Sequence, residues 1–357
     1  MPRFHPATVI EKKRETEDSI VLTLEVPEDA AADFTYDQGQ HLPVRASVDG
    51  ANIRRTYSIC SSVSDDVLRL GIRVQNGGVF SNYVADRIDV GDVLEIMPPF
   101  GHFNTQLDPA NDKTYVACVA GSGITPILSI VKTTLEAEPK SRFVIFYGNR
   151  KRASTMFLEE LWALKNTYRD RLALHFIMSQ ETTDIDLYSG RVDGAKMSEL
   201  HNAFLRDVRA DEFFLCGPNP MIDDVTSSLQ ELGYSKERIH SERFRAGMKG
   251  EKAAPIKAAA IPKDGAEITV IVDGNRQSFH MRADDSSILD AALENGIELP
   301  YSCKGGVCST CRTKLKSGDV DMALNYALEP WELERGFILT CQSSPKSSSI
   351  ELDYDET

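Results

Sequence analysis

Four cysteines in the last quarter of the chain have the side chains and the spacing to bind an iron–sulfur cluster. Three lie in the loop Cys303-Lys-Gly-Gly-Val-Cys308-Ser-Thr-Cys311, and Cys341 follows after 29 intervening residues. This C-x4-C-x2-C pattern with one distant cysteine is the ligand spacing of plant-type [2Fe–2S] clusters. A structural zinc site usually holds two cysteine pairs of similar spacing, and unrelated buried cysteines would need no such pattern. The sequence therefore predicts a [2Fe–2S] cluster held by Cys303, Cys308, Cys311 and Cys341.

Two adjacent glycines, Gly305 and Gly306, lie between the first and second cysteines of this loop. Glycine tolerates backbone angles that other residues avoid, so the pair lets the loop curl around a small cluster. The curled backbone would also point N–H groups at the sulfur atoms, where hydrogen bonds help to set the reduction potential.

Two segments of the first hundred residues have side chains suited to phosphate groups and a flat ring. The first is Arg55-Thr56-Tyr57-Ser58, and the second is Gly77-Gly78-Val-Phe-Ser81. A guanidinium group suits a diphosphate, an aromatic face suits a flat ring, and the N-terminus of a helix opening at Ser81 would face phosphate. Each segment is weak evidence alone, because an ordinary strand tyrosine and a solvated arginine would look the same.

Glycines in a context suited to a dinucleotide follow in the middle of the chain. The turn Gly121-Ser-Gly123-Ile-Thr125-Pro126 comes after an apolar run and before a helical pattern, which is the context that a dinucleotide-binding turn requires. Cys216-Gly217-Pro218 follows another apolar run, and Phe244 ends the same region. Without the neighbouring Gly-Pro, Cys216 would be interpreted as a small buried hydrophobe, and Phe244 is also compatible with an ordinary core position.

The pattern of apolar residues divides the chain into parts that would position these groups. Residues from about 4 to 105 contain short strand patterns between Gly and Pro turns, which predicts a small antiparallel β-barrel. From residue 113, strand patterns alternate with helical ones, as in a doubly wound parallel α/β domain. Residues 245–266 are rich in Ala, Lys, Gly and Pro, which is typical of a linker. The predicted division is 1–108 for the barrel, 109–244 for the nucleotide domain, 245–266 for the linker and 267–357 for an α+β domain.

Helical periodicity predicts the helices of these domains. The expected helices span 81–88, 127–138, 155–168, 197–205, 221–232 and 287–294. A hairpin around Asp273-Gly274 and a helix capped by residues 284–287 are expected before the cysteine loop.

Together these motifs resemble the ferredoxin–NADP reductase superfamily, followed by a plant-type ferredoxin domain of β-grasp fold. The resemblance implies FAD binding by Arg55, Thr56, Tyr57, Ser58, Gly78, Ser81 and Phe244. It implies NAD(P)H binding by Gly121, Gly123, Thr125, Pro126, Arg150, Cys216, Gly217 and Pro218.

Catalytic roles follow from the same resemblance. The arginine of the first motif would contact the flavin pyrophosphate, Tyr57 would pack on the isoalloxazine ring, and Ser58 would approach flavin N5. Cys216 would lie beside nicotinamide C4, and Thr125 would help to position that ring. Phe244 would cover the flavin face that the nicotinamide must reach. Catalysis is thus assigned to Cys216, Thr125 and Ser58.

The choice between NADPH and NADH depends on the residues that follow the second and third strands of the nucleotide domain. The basic run Arg150-Lys151-Arg152 could receive a 2′-phosphate, because guanidinium groups suit it. The superfamily's usual Ser-Arg pair is absent, since the chain has Ser179-Gln180-Glu181 there. NADPH is the expected donor, with NADH as the alternative.

The order flavin domain, nucleotide domain, ferredoxin domain resembles the reductase components of bacterial multicomponent oxygenases, and in particular those of phenylacetyl-CoA ring epoxidases. The segments that carry this resemblance are 53–60, 120–126, 147–150, 179–182, 303–308 and 325–330. Several of them are shared with reductases of steroid and aromatic-ring hydroxylases, so these oxygenases stay open as partners. The resemblance implies electron flow from NAD(P)H through FAD and the cluster to a di-iron oxygenase of phenylacetate degradation.

Composition and charge exclude several other classes of protein. The chain has 357 residues, of which 41% are hydrophobic and 26% charged, as expected for two or three globular domains. The net charge is −14, and residues 267–357 carry −8 of it, from 16 acidic and 8 basic residues. This acidity argues against a nucleic-acid partner and could steer docking to a basic protein. No 18-residue apolar stretch or signal peptide is found, and seven cysteines suit a reducing compartment, so a cytoplasmic protein without membrane contact is expected.

Two further functions fit less well. A redox sensor could carry the same cluster without turnover, but the set of Arg55, Thr125 and Cys216 argues for catalysis. A hydroxylase acting alone would need its own oxygen-activating site. The sequence contains no H-E-x-x-H motif, and its seven histidines are dispersed.

Overall fold

The structure is a computed structural model that describes residues 3–244 and 261–356. By their contacts these residues form two compact units. The larger unit comprises 5–53 and 57–244, and the smaller comprises 3–4, 54–56 and 261–356. Most of the predicted linker, residues 245–260, lies outside the described residues. Across the described ranges, no helix is long and apolar enough to cross a membrane.

The first domain of the larger unit is an antiparallel sheet that curls into a barrel. Its elements are β1 (His5–Thr16), β2 (Ser19–Glu25), β3 (His41–Val48), β4 (Ala51–Ser58), β5 (Leu68–Arg73), α1 (Val79–Arg87) and β6 (Val93–Ile96). The strand order is β4-β3-β6-β1-β2-β5, and a bridge between Ile59 and Leu70 joins the two outer strands. β2 is buried on both faces: Leu22 packs into the barrel core, whereas Val21 belongs to the core of the next domain. This explains why the sequence of β2 alternates only partly.

The second domain of the larger unit is the predicted doubly wound parallel sheet. Its elements are β7 (Thr114–Ala120), α2 (Ile124–Ala137), β8 (Arg142–Asn149), α3 (Leu158–Thr167), β9 (Leu172–Met178), α4 (Gly194–Phe204), β10 (Glu212–Gly217), α5 (Asn219–Glu231) and β11 (Ile239–Arg243). The strand order is β11-β10-β7-β8-β9, and every pair is parallel. One apolar core lies under α2 and the other under α4 and α5. The carboxyl ends of the strands therefore meet at one edge, where ligands bind in such sheets.

The described part of the smaller unit is an α+β domain built on a mixed sheet. Its elements are β12 (Ala266–Val272), β13 (Asn275–Met281), α6 (Ile288–Glu294), β14 (Arg312–Ser317), β15 (Val320–Met322), α7 (Pro330–Glu334), β16 (Phe337–Leu339), β17 (Ser343–Pro345) and β18 (Ser349–Asp353). The main sheet has the order β13-β12-β18-β14-β16. Asp273 and Gly274 both have positive φ, as the predicted hairpin turn requires. The Ser287 hydroxyl caps α6 by accepting a hydrogen bond from Asp290 N at 3.1 Å.

Several element boundaries differ from the sequence-based expectation. α1 begins at Val79 rather than at residue 81, because Gly78 provides its N-cap. α3 begins at Leu158 rather than at 155, because Phe157 has a left-handed backbone with φ 57°. Ala266, placed in the linker from sequence, is the first residue of β12, and Ile261 is already buried in the core of this domain.

Candidate functional site

The first flavin motif lies on the second half of β4. Ser58 is almost fully buried, and its hydroxyl donates a hydrogen bond to Glu242 Oε2 at 3.1 Å. Tyr57 is half-buried and packs against the barrel core. Arg55 is exposed and Thr56 is half-buried. The strand therefore presents a buried hydroxyl, an aromatic ring and an accessible guanidinium within four residues.

The second flavin motif forms the turn before α1. Gly77 has a left-handed backbone with φ 73°, and Gly78 is the N-cap. Ser81 is the third residue of the helix, not the first as predicted, and its hydroxyl accepts a hydrogen bond from Gln75 N at 3.1 Å. A Cβ on Gly78 would lie 2.7 Å from Ser81 Oγ, so the turn requires glycine. No side-chain hydrogen bond caps α1, which leaves its first N–H groups for a phosphate.

The predicted nicotinamide turn makes a tight connection from β7 to α2. Residues Gly121–Gly123 form a short 3₁₀ turn, in which Gly121 has φ 56°. A Cβ on Gly123 would lie 2.2 Å from the carbonyl oxygen of Cys216, so only glycine fits. Thr125 and Pro126 are buried in the first turn of α2, and the Thr125 hydroxyl donates to a backbone oxygen of the turn at 3.0 Å. The backbone of this turn is thus held close to the end of β10.

Cys216 lies beside this turn because β10 and β7 are neighbouring strands. Val119 is paired with Cys216 in the sheet register. Gly217 ends β10, and Pro218 is the exposed N-cap of α5. Burial raises the pKa of the Cys216 thiol well above its ordinary value, and the charge of Glu242 raises it further. The thiol is therefore neutral at physiological pH, which suits packing or weak hydrogen bonding rather than nucleophilic attack.

Two residues that the sequence analysis missed, His41 and Glu242, join Ser58 in a buried hydrogen-bonded group. His41 Nδ1 and Glu242 Oε1 are 2.9 Å apart, and each side chain is only 8% exposed. Glu242 lies on β11 in register with Cys216. A buried carboxylate needs hydrogen bonds, and this one has partners on both oxygens. Residue 41 lies on β3 of the barrel and residue 242 on β11 of the parallel sheet, so the pair forms only where these two domains pack together. No local sequence signal could have shown it.

Arg150 and Phe244 are the remaining residues predicted to contact the nucleotides. Arg150 follows β8, and its guanidinium donates a hydrogen bond to Asp18 Oδ2 at 2.8 Å. The same oxygen accepts a hydrogen bond from Arg73 at 2.7 Å. Burial would raise the pKa of Asp18, but the two arginines hold it below its ordinary value. Phe244 directly follows β11, is half-buried, and packs against the core of the nucleotide domain.

The four cysteines of the α+β domain come together in two pairs. A hydrogen bond with Cys308 and then burial raise the pKa of Cys303 well above its ordinary value, and the same hydrogen bond lowers that of Cys308 to about 5. Cys311 and Cys341 form the second pair: their hydrogen bond raises the pKa of Cys311 and lowers that of Cys341. Two irons that each take two thiolates need such a pairing.

The backbone of the cysteine loop also suits a cluster. Cys303 Sγ accepts a hydrogen bond from Gly305 N at 3.2 Å, and Cys308 Sγ accepts one from Cys303 N at 3.4 Å. Gly306 has positive φ, as predicted for the curled loop, whereas Gly305 does not and the non-glycine residue Lys304 does instead. Within residues 3–244 and 261–356, no three His, Cys, Asp or Glu side chains are placed to hold one metal ion together. A two-iron cluster divides its four thiolates between two irons, so the donor set fits a [2Fe–2S] cluster.

Comparison with known protein families decides the identity of the three domains. Residues 6–105 match an oxidoreductase FAD-binding domain, 118–227 an oxidoreductase NAD-binding domain, and 270–346 a 2Fe-2S iron-sulfur cluster binding domain. The chain is also 43% identical to a component of the 1,2-phenylacetyl-CoA epoxidase of Escherichia coli (strain K12), over 99% of both chains. The chain belongs to the family of iron–sulfur flavoprotein reductases. Within the ferredoxin–NADP reductase superfamily, it is an electron-transfer oxidoreductase with FAD, NAD(P) and [2Fe–2S] domains.

Other relatives share the whole architecture of this reductase family. The chain is 34% identical to the ferredoxin reductase component of 3-ketosteroid-9-alpha-monooxygenase from Mycolicibacterium smegmatis, over 98% of this chain and 96% of the relative. Phthalate dioxygenase reductase has the same fold, with a TM-score of 0.60, 23% identity and coverage of 98% of both chains. The predicted fold class, three domains in this order, is therefore confirmed.

Proposed function

We propose that this reductase takes electrons from NADPH and delivers them to the oxygenase component of a phenylacetyl-CoA epoxidase. The observation that supports this choice is the 43% identity to a component of such an epoxidase along 99% of both chains. Identity to the steroid monooxygenase reductases is 31–34% over similar lengths. A steroid or aromatic-ring oxygenase is therefore the second candidate for the partner.

The barrel domain is proposed to hold FAD. The bound flavin and cluster would supply two-electron and one-electron redox chemistry, which protein side chains cannot. Arg55 would bind the pyrophosphate, Tyr57 would pack on the ring, and the buried Ser58 hydroxyl would lie at flavin N5. The free N–H groups at the start of α1 support a phosphate beside Gly78 and Ser81. We also assign contacts to Thr56 and Phe244 on the basis of sequence resemblance.

The edge of the parallel sheet is proposed to hold the nicotinamide half of NADPH. The close approach of Gly123 to Cys216 supports a shared surface for the ring. The residues assigned to it are Gly121, Gly123, Thr125, Pro126, Cys216, Gly217 and Pro218. The buried Glu242 carboxylate, which links Ser58 to His41, would fix the Ser58 hydroxyl and provide a proton route to the reacting centre.

Selectivity for NADPH is proposed to rest on Arg150. Replacing Arg150 by Ala should lower kcat/KM for NADPH about tenfold and leave kcat/KM for NADH unchanged, because one charged hydrogen bond to the 2′-phosphate is lost. Arg142→Ala is the matched control, since Arg142 is exposed at the opposite end of the same strand. Steady-state kinetics with both nucleotides measures the effect. A wild-type enzyme that prefers NADH tenfold would reverse the proposal.

Retention of FAD is proposed to depend on Arg55. Arg55→Ala should weaken FAD binding about 10- to 100-fold, because a charged hydrogen bond to phosphate contributes about 1.5–3 kcal/mol. Flavin content after gel filtration and titration of the apoprotein with FAD would measure this. Arg87→Ala, which removes an exposed cation from α1 of the same domain, should leave the flavin content and the affinity for FAD unchanged. Full FAD occupancy of Arg55→Ala under dilute conditions would contradict the assignment.

We propose the predicted boundaries at residues 108 and 244, and a cluster domain that begins no later than Ile261 rather than at residue 267, because Ile261 and Ala266 belong to its core. The cluster is assigned to the α+β domain, with Cys303, Cys308, Cys311 and Cys341 as ligands, and this domain is proposed to meet the partner. Its charge of −8 suits a basic face on the oxygenase.

The deciding experiment compares oxygenase partners. The purified reductase with bound FAD and cluster is mixed with NADPH and with the oxygenase component of either a phenylacetyl-CoA epoxidase or a 3-ketosteroid monooxygenase. Substrate-dependent turnover should be at least tenfold faster with the phenylacetyl-CoA enzyme. Faster turnover with the steroid enzyme would favour the second candidate for the partner. Turnover with neither enzyme would overturn the proposed function.

A further inference from the structure

Exposed apolar side chains concentrate in one short segment of the cluster domain. Thirteen large hydrophobic residues of the described chain are exposed, and four of them lie between residues 324 and 333. They are Leu324, Tyr326, Trp331 and Leu333, with 43–45% of each residue accessible. We call residues 324–333 the aromatic segment. A cluster of this kind on a protein surface indicates an interaction site more often than isolated exposed residues do.

The aromatic segment lies directly against the cysteine loop. Tyr326 N donates a hydrogen bond to the carbonyl oxygen of Gly306 at 3.0 Å. The hydroxyl of Ser309 donates to the carbonyl oxygen of Ala327 at 3.4 Å. A Cβ on Gly306 would lie 3.1 Å from the carbonyl oxygen of Leu324, so the two backbones are in close contact. A molecule bound to the aromatic segment would therefore lie close to the loop that carries three of the four cluster ligands.

Hydrogen bonds hold the aromatic segment in a fixed shape. The side chain of Asn325 accepts a hydrogen bond from Leu328 N at 2.8 Å and donates one to the Leu328 carbonyl at 3.0 Å. Glu332, which is buried in α7, pairs with Arg312 at 2.6 Å. Arg312 directly follows Cys311, so the helix is also tied to the cysteine loop. Such a preformed surface loses little conformational entropy when a partner binds.

Acidic residues outnumber basic ones in and beside the aromatic segment. Between 319 and 335 there are five acidic residues and one basic residue, Arg335. Glu332 is neutralised by its buried ion pair, whereas Glu329 and Glu334 are exposed. The guanidinium of Arg335 lies 5.1 Å from the Trp331 ring centroid. The segment thus combines exposed aromatic side chains with exposed carboxylates.

We propose that the aromatic segment is the docking face for the electron-accepting oxygenase component, whose matching face is an apolar depression with basic residues around it. This inference rests on the proposed function. Tryptophan and tyrosine are the residues that most often dominate binding energy at protein interfaces. The exposed carboxylates of Glu329 and Glu334 would speed the encounter with a basic partner. Contact beside the cysteine loop would shorten the path that electrons must cross.

The two tryptophans of the chain provide a matched test. Trp331→Ala should raise KM for the oxygenase component at least tenfold in NADPH-driven turnover. Trp162→Ala, which removes an equally exposed tryptophan from the nucleotide domain, should change KM less than twofold. Reduction of ferricyanide by NADPH and the visible spectrum of the cluster should be unchanged in both full-length holoproteins.

A charge variant keeps the test valid if Trp331→Ala fails to fold. Glu334→Lys alters an exposed side chain outside the cysteine loop and should raise the same KM and weaken its salt dependence. Equal KM values for wild type, Trp331→Ala and Glu334→Lys would overturn the docking face and leave the proposed function intact. A wild type that cannot reduce the oxygenase would overturn both. If the wild type were a dimer in sedimentation experiments and Trp331→Ala dissociated it, the segment would be assigned to self-association. That result would also overturn the proposal.

Discussion

Cys308→Ser should abolish electron delivery to the oxygenase while the flavin half of the protein keeps working. Loss of one of four thiolate ligands should remove the visible charge-transfer absorption of the cluster and leave the flavin bands. NADPH-driven turnover of the oxygenase should then fall at least 100-fold, because the one-electron outlet is missing. Ferricyanide accepts electrons from flavin directly, so its reduction by NADPH should keep the wild-type rate.

The control for this variant is Cys60→Ala, which removes a thiol from the barrel domain. Cys60 is fully buried, and burial raises its pKa to about 12, so it is an inert thiol. Iron content, the cluster spectrum and oxygenase turnover should match those of wild type. If Cys308→Ser retained two irons per chain and an unchanged spectrum, the ligand assignment would be wrong. Full oxygenase turnover without the cluster would instead place the cluster outside the electron path.

The cysteine loop could be predicted from sequence because its chemistry is local. Three of the four predicted ligands lie within nine residues, and Gly306, which has positive φ, lies between the first two. The structure adds the pairing of Cys303 with Cys308 and of Cys311 with Cys341. This pairing could not be predicted, because it depends on the tertiary fold that brings Cys341 back to the loop. The strand, Gly-rich turn and helix that carry the predicted nicotinamide turn could also be predicted from sequence, because they follow one another directly.

The buried group of His41, Ser58 and Glu242 could not be predicted in the same way. Its members come from β3, β4 and β11, and 184 residues separate Ser58 from Glu242. The sequence around Glu242 drew attention to Phe244 instead, because an aromatic residue at the end of a domain is a local signal. Likewise, Arg150 was expected to be available for phosphate, but it is paired with Asp18 from the distant β1–β2 hairpin. Binding of a 2′-phosphate there would have to compete with that carboxylate.

Single substitutions at the proposed nicotinamide site should also have large effects, because they would slow hydride transfer from NADPH to the flavin. Cys216→Ala and Thr125→Ala should each slow reduction of the flavin by NADPH about 100-fold, with FAD still bound, because small errors in ring position cost about that much. Glu242→Gln, which keeps the shape but removes the charge that faces Ser58 and His41, should slow the same step. Stopped-flow absorbance of the flavin measures each rate, and 4-deuterated NADPH shows whether hydride transfer limits it.

Cys118→Ala separates the role of Cys216 from the simple loss of a buried sulfur atom. Cys118 and Cys216 are both buried, lie on the neighbouring strands β7 and β10, and face opposite cores of the same sheet. The two alanine variants should therefore lose similar packing energy and show similar drops in melting temperature. Only Cys216→Ala should slow reduction of the flavin, since Cys216 is the residue whose backbone packs against Gly123 of the predicted nicotinamide turn. Wild-type reduction rates in Cys216→Ala and Thr125→Ala, or equal slowing in Cys118→Ala, would remove both residues from the catalytic site and leave Ser58 with Glu242 as its polar centre.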